Sequence, residues 1–348
     1  MSAVPGLHLA LGLLPVLAFL LALISLDSFK LVRLRTVLAL LAAGCLVAGA
    51  SLLINPRLAD AFGVGPRGQA RYIAPVVEEL LKGAVVSWLI LRRRVAFLVD
   101  AAICGFAVGA GFAAAENLSY FALLENPPIA VWLVRGFGTA VLHGGATAIM
   151  AVVAVADQRG ATHPASYFYG WLLAVAIHSA FNHFFLAPDF SALLLLATLP
   201  GLFFLLFRIS EKRTRRWLGT GFDTDAELLQ LIGSGRLSET KVGSYVAELR
   251  DKFPPETVVD MLCLLRLRLE LSIRAKGILL LKQAGIAPEP DPEVEERFAE
   301  LRYLERAIGR TGMTALHPIL NFSDQDLWQY HMLAAGRPRT SGAVGRAS

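Results

Sequence analysis

Residues 74–83 read APVVEELLKG. Glu78, Glu79 and Lys82 lie in a run that is otherwise apolar, and the fold turns on whether that run crosses a membrane. A charge at the bilayer centre costs about 2.5–3.5 kcal/mol on insertion scales, so ionisable groups there need partners on neighbouring spans and mark functional positions.

Outward from this run, long apolar stretches alternate with short polar breaks from Leu7 to about Ile209, and charge becomes frequent from Glu211 onward. The 348 residues are 55% hydrophobic and 18% charged, with a mean hydropathy of +0.55. This pattern fits a membrane domain followed by a polar tail. About 20 mostly apolar residues span the hydrocarbon core as a helix. Seven stretches qualify, roughly 7–25, 36–54, 72–91, 96–123, 129–156, 165–186 and 190–208. The first lacks a basic flank and an A-x-A site before Asp27, so it is expected to stay as an anchor rather than be removed. The expected fold is all-α: a polytopic membrane domain of about seven transmembrane helices over 1–209, a helical cytoplasmic domain over 210–336, and a disordered tail over 337–348.

Lysine and arginine in the connections set the expected orientation. Lys30, Arg33, Arg35, Arg92, Arg93, Arg94, Arg159, Lys212, Arg213, Arg215 and Arg216 fall on one side, against Arg57, Arg67 and Arg71 on the other. This places the N-terminus outside and the C-terminal domain in the cytoplasm. The formal charge of +5 follows from the same bias and gives no reason to expect nucleic acid as a partner. Cys45, Cys104 and Cys263 lie singly in apolar runs without metal or disulfide spacing, and are expected to be small core residues.

The first, second and seventh stretches are leucine-rich and suit a lipid-facing perimeter. The middle four are rich in glycine and alanine, which allow helix backbones to approach closely. In the tail, helices are expected near 225–235, 239–251, 255–284, 292–310 and 324–335, with starts at Pro254–Pro255 and at Ser323 with Asp326. The segment LRLRLELSIR, 265–274, alternates as a strand would, but its length and neighbours favour helix.

Helical spacing groups the polar residues of the middle stretches. Glu78 and Lys82 are four apart and are expected to pair, whereas Glu79 points about 100° away. Glu116 and Tyr120 share a face with Asn117 beside it, His143 lies near mid-span, and His178 and Asn182 share another face. Glu78, Glu79, Glu116 and His178 reach similar depths near the outer surface, and His143 sits slightly deeper. Asp100 is expected to pair with Arg92, Arg93 or Arg94, and Arg135 to snorkel or to bind a substrate carboxylate. Acids, imidazoles and an amide in one layer suit water activation: a glutamate takes a proton from water and returns it to a leaving amine, while a histidine and an asparagine donate to an oxyanion. HExxH, an intramembrane GxSG serine and a GxGD aspartate pair are all absent. This chemistry requires no cofactor. It leaves room for a divalent metal, since Glu78, Glu116, His143 and His178 are plausible ligands. A proton-coupled transporter and an inactive scaffold or sensor are the rival readings.

EELLK (78–82) resembles the EExxK motif, and FAAAEN (112–117) the FxxxE motif, of the PrsW intramembrane proteases; His143 and the pair His178–Asn182 take the third and fourth motif places. The resemblance covers roughly residues 70–186 and extends to the CAAX-prenyl endopeptidases. It implies a glutamic-type peptidase of the bacterial inner membrane that cuts single-span proteins near the outer face, such as an anti-sigma factor at its first site. It further implies that Glu78 activates water, that Glu116 and His143 hold or polarise it, and that His178 and Asn182 form the oxyanion site. Glu79 and Lys82 would then orient the helix or substrate, although the residues themselves leave open which of Glu78 and Glu79 is the base; Asn117 and Tyr120 are expected to pack beside the site in support. The oligomeric state is left open.

Overall fold

A computed structural model describes residues 5–125, 127–156, 164–289, 291, 293–320 and 324–335. The chain forms two compact units, Met1–Lys212 and Arg213–Ser348, and the described residues contain helices and no strand. The expectations for Arg159, Ser323 and 337–348 fall outside the described residues.

The first unit is built from α1 (Pro5–Leu26), α2 (Leu34–Ala61), α3 (Ala74–Leu91), α4 (Leu98–Leu123), α5 (Ile129–Ala156), α6 (Pro164–Asn182) and the apolar first part of α7 (Pro188–Gly233). A π-helical turn, Gln69–Ile73, leads into α3, and a second, Val134–Ala140, lies inside α5. Among the described residues five helices, α1, α2, α4, α5 and α7, are long and apolar enough to cross a membrane. Helices α3 and α6 fall short because they carry Glu78, Glu79, Lys82, His178 and Asn182. Helix α2 also runs past its expected end at 54, continuing through Pro56 to Ala61.

Helix α4 is the axis of this unit, with Ala101, Ile103, Phe106, Val108 and Ala110 all fully buried. Glycine sets how closely its neighbours approach. A Cβ at Gly111 would overlap the Leu41 carbonyl of α2, and one at Gly44 of α2 would overlap Val108 of α4. On the other side, a Cβ at Gly109 would overlap the His143 carbonyl of α5. The backbones thus meet directly on two sides of α4, and the second meeting point is where His143 emerges. The expected burial of cysteine holds for Cys104 alone; Cys45 and Cys263 are exposed on their helices. An apolar run does not separate core from perimeter, because outward positions of a membrane helix are apolar too.

The second unit contains the polar end of α7, α8 (Lys241–Leu249), α9 (Pro255–Gln283), α10 (Glu293–Leu316) and α11 (Asp324–Ala335). Segment 265–274 is helical and lies in the middle of α9. Leu265, Leu267, Leu269 and Leu271 are all buried, which an alternating pattern permits when a helix is covered on most sides. The intervening charges are neutralised: Arg268 by Glu305 of α10 at 2.6 Å, and Glu270 by Arg266 and by Arg297 of α10. Helix α10 continues past 310 through a kink at Gly309, whose φ of 70° suits glycine. Asp225 accepts from Ser272 and Lys276, each at 2.6 Å, and joins α7 to α9.

Candidate active site

Helices α3, α4, α5 and α6 bring Glu78, Glu79, Lys82, Glu116, His143 and His178 together. The two adjacent glutamates face different ways. Glu79 and Lys82 are both 0% exposed and form an ion pair at 2.6 Å. Glu79 also meets His178 Nδ1 at 2.9 Å. The expected Glu78–Lys82 pair is therefore corrected: Lys82 neutralises Glu79, because an i,i+3 pair is as close on a helix as an i,i+4 pair. Its face of α3 also turns toward α5, where Lys82 Nζ lies 3.1 Å from His143 Nδ1.

Glu78 is left to face a cavity of about 410 Å³ that Glu116, His143, His178 and Asn182 also line. Its Oε1 accepts from Asn55 Nδ2 of α2 at 3.0 Å, and its Oε2 lies 4.0 Å from His178 Nε2. Because a carboxylate only accepts, His178 donates Nδ1–H to Glu79, and its Nε2 is turned toward Glu78. His143 sits between Lys82 and Glu116, with Nε2 at 3.2 Å from Glu116 Oε2. An ammonium donating to Nδ1 puts the imidazole proton on Nε2, facing Glu116. The two imidazole rings meet edge to face at 4.8 Å.

Arg135 does not snorkel. Its side chain is 12% exposed and pairs with Glu116 at 3.2 Å. It donates Nε–H to Asn117 Oδ1 at 2.9 Å and lies 3.6 Å from the centre of the Tyr120 ring. The π-helical turn in which it sits points it inward, an arrangement common where helices carry function. Asn117 in turn donates to the Gly12 carbonyl at 2.7 Å, so it braces Arg135 rather than facing the cavity. Asn182 lines the cavity, but its Nδ2 donates to the Ala70 carbonyl at 2.8 Å; a second N–H on that nitrogen remains for an oxyanion. Asp100 accepts from the backbone N–H groups of Ala96 and Phe97 at 3.1 and 2.8 Å, serving the start of α4.

Asn55 and the inward turn of Arg135 are not read from the sequence above. Asn55 falls one residue beyond the stretch taken as the second span; an asparagine ahead of Pro56 on the buried stripe of α2 is the signal that would have found it.

The chain matches the PrsW family intramembrane metalloproteases over residues 32–209, half its length. It belongs to that family. It is accordingly a multi-pass membrane protein of an intramembrane protease family. No curated protein and no solved structure matches the chain. The family's description names a metal, and this cavity can be tested for one. Glu78, His143 and His178 are all buried and offer ligand atoms within 4.8 Å of one another. A carboxylate and two imidazoles are a donor set that suits zinc and its neighbours, with a position left open. Glu79 on His178 Nδ1 is the partner that holds a ligating imidazole in place. Counted as ionised, the carboxylates of Glu78, Glu79 and Glu116 exceed the cations Lys82 and Arg135 by one negative charge. In donor type, spacing and charge the PrsW-family site fits a divalent cation. Loading would displace the Nε2 proton of His143, so binding would release a proton.

Proposed function

We propose that the chain is an intramembrane endopeptidase that hydrolyses a peptide bond of a single-span membrane protein, with Glu78 as the group that activates water. The observation that carries this is the convergence of Glu78, His143 and His178 on one buried cavity. Glu79 cannot serve as base while Lys82 and His178 hold it. Glu78 takes a proton from water as the water oxygen attacks the substrate carbonyl, and returns it to the leaving amine when the C–N bond breaks. Asn182 presents its second amide N–H as a donor for the oxyanion, while His143 keeps its Nε2–H on Glu116. Arg135 holds Glu116 so that its carboxylate stays on His143. If a divalent metal is resident, Glu78, His143 and His178 hold it, and it supplies a polarised carbonyl and a more acidic water.

The proposed orientation puts the N-terminus outside, the second unit in the cytoplasm and the cut near the outer face, with all seven helices crossing. Its support is the distribution of lysine and arginine over the connections. A membrane-anchored anti-sigma factor is one substrate of this class.

The test is cleavage of a single-span substrate by purified protein. Glu78→Gln and His178→Ala are each expected to lower kcat at least about 10²-fold; cleavage at the parent rate would sink the assignment. Metal content before and after a strong chelator, measured beside activity, separates the metal-loaded from the metal-free form of the same site. Ion-dependent uptake without proteolysis would instead favour a transporter.

A further inference from the structure

Asn55 has a polar atom that no part of the proposed chemistry uses. It lies on the buried stripe of α2 with Gly44, Ala48 and Ser51, is 6% exposed, and lines the cavity. Its Nδ2 is fixed by chemistry, since the Glu78 carboxylate that it meets at 3.0 Å can only accept. The other end of the amide, Oδ1, is buried and has no hydrogen-bond partner among the described residues. The nearby hydroxyl of Ser51 is committed to the Ala48 carbonyl of its own helix at 2.9 Å. Buried polar groups are as a rule hydrogen-bonded, so this buried carbonyl oxygen beside the reacting group needs a donor from elsewhere.

We propose that Asn55 is a substrate-binding residue: its side-chain carbonyl accepts a backbone N–H from an unwound stretch of the substrate beside the bond that Glu78 attacks. The proposal rests on the reading of the cavity as a proteolytic site. Within a transmembrane helix each backbone N–H is already held by the carbonyl four residues before it. Only a segment that has left helical geometry has an N–H to give. Asn55 therefore selects for an extended segment, and one amide does two tasks, holding Glu78 on one side and the substrate backbone on the other.

The experiment uses full-length protein in a bilayer mimic and a synthetic single-span peptide, with copies N-methylated at one residue each across the cut. In the parent, methylation at one position is expected to raise KM by up to about tenfold, the worth of one hydrogen bond. Asn55→Ala is expected to raise KM for the unmodified peptide by a similar factor and to lose that position's penalty. Asn55→Leu, apolar and similar in shape, serves as a second variant without the acceptor should the alanine form fold poorly. Asn55→Asp keeps an acceptor and is expected to keep the penalty, with a lower kcat because a second carboxylate then faces Glu78. A penalty that persists in both acceptor-free variants, or is absent from the parent, overturns the role of Asn55 while leaving an active parent and an inert Glu78→Gln in place. A Glu78→Gln form that cleaves like the parent overturns the site itself and the Asn55 role with it.

Discussion

Glu78 and Glu79 are neighbours in sequence with opposite surroundings. Glu79 is enclosed between Lys82 and His178, while Glu78 opens on a cavity and meets an uncharged amide. Breaking a buried ion pair from one side leaves an uncompensated charge, at a cost of about 3–5 kcal/mol. Lys82→Met is expected to destabilise the protein by about that much in thermal or denaturant unfolding, and Glu79→Gln in the same chain to recover most of it. A Lys82→Met form as stable as the parent would refute the pairing. The residue types of the site were legible in the sequence because charge and imidazole stand out in apolar runs. The pairing was not, since i,i+3 and i,i+4 are both within reach and the choice depends on which helix each face of α3 meets. Arg135 was misread for a related reason: its place near a span end suggests snorkelling, whereas the π-helical turn sets its actual direction.

The element that organises the site is α4, through contacts in which no side chain intervenes. Gly109 lies directly against the backbone that carries His143. Gly109→Val would push β-branched bulk into a carbonyl, and overpacking of this kind costs about 1–3 kcal/mol. The expected outcome is a lower unfolding temperature together with slower cleavage, since His143 moves with that backbone. Gly201→Ala in α7, where a Cβ meets nothing within 4 Å, is expected to match the parent in both measurements. If the two substitutions behave alike, close approach at Gly109 does not position His143. The small-residue content of the middle stretches announced a close-packed bundle, though not which glycine faces which carbonyl. Alternation in 265–274 shows the opposite limit: a two-residue period reads as strand, and only the helices surrounding α9 and their charges at Glu305 and Arg297 make it suit a helix.

At the scale of the whole chain, the proposed orientation has a direct chemical readout in the native cysteines. Cys263 is exposed in the second unit, Cys104 is buried in the first, and Cys45, though exposed on α2, lies mid-way along a membrane-length apolar helix where a water-borne reagent does not reach. With that unit in the cytoplasm, a membrane-impermeant maleimide is expected to label the protein in inside-out vesicles and not in right-side-out ones, and Cys263→Ser to abolish the signal. Labelling from the outer side would reverse the orientation. The helical class was legible from composition and periodicity, whereas the function rested on short motifs whose meaning depends on four helices meeting. The cavity walls also differ in how they would yield to force. Between α2, α4 and α5 backbone lies on backbone, with no rotamer that can relax. Between the turn before α3 and α6, the joints include two side-chain hydrogen bonds, Asn182 to Ala70 at 2.8 Å and Ser179 to Arg71 at 2.7 Å. Side-chain hydrogen bonds can be exchanged where touching backbones cannot give way, so a guest in the cavity is expected to displace the join between the turn before α3 and α6 before it moves α2, α4 and α5.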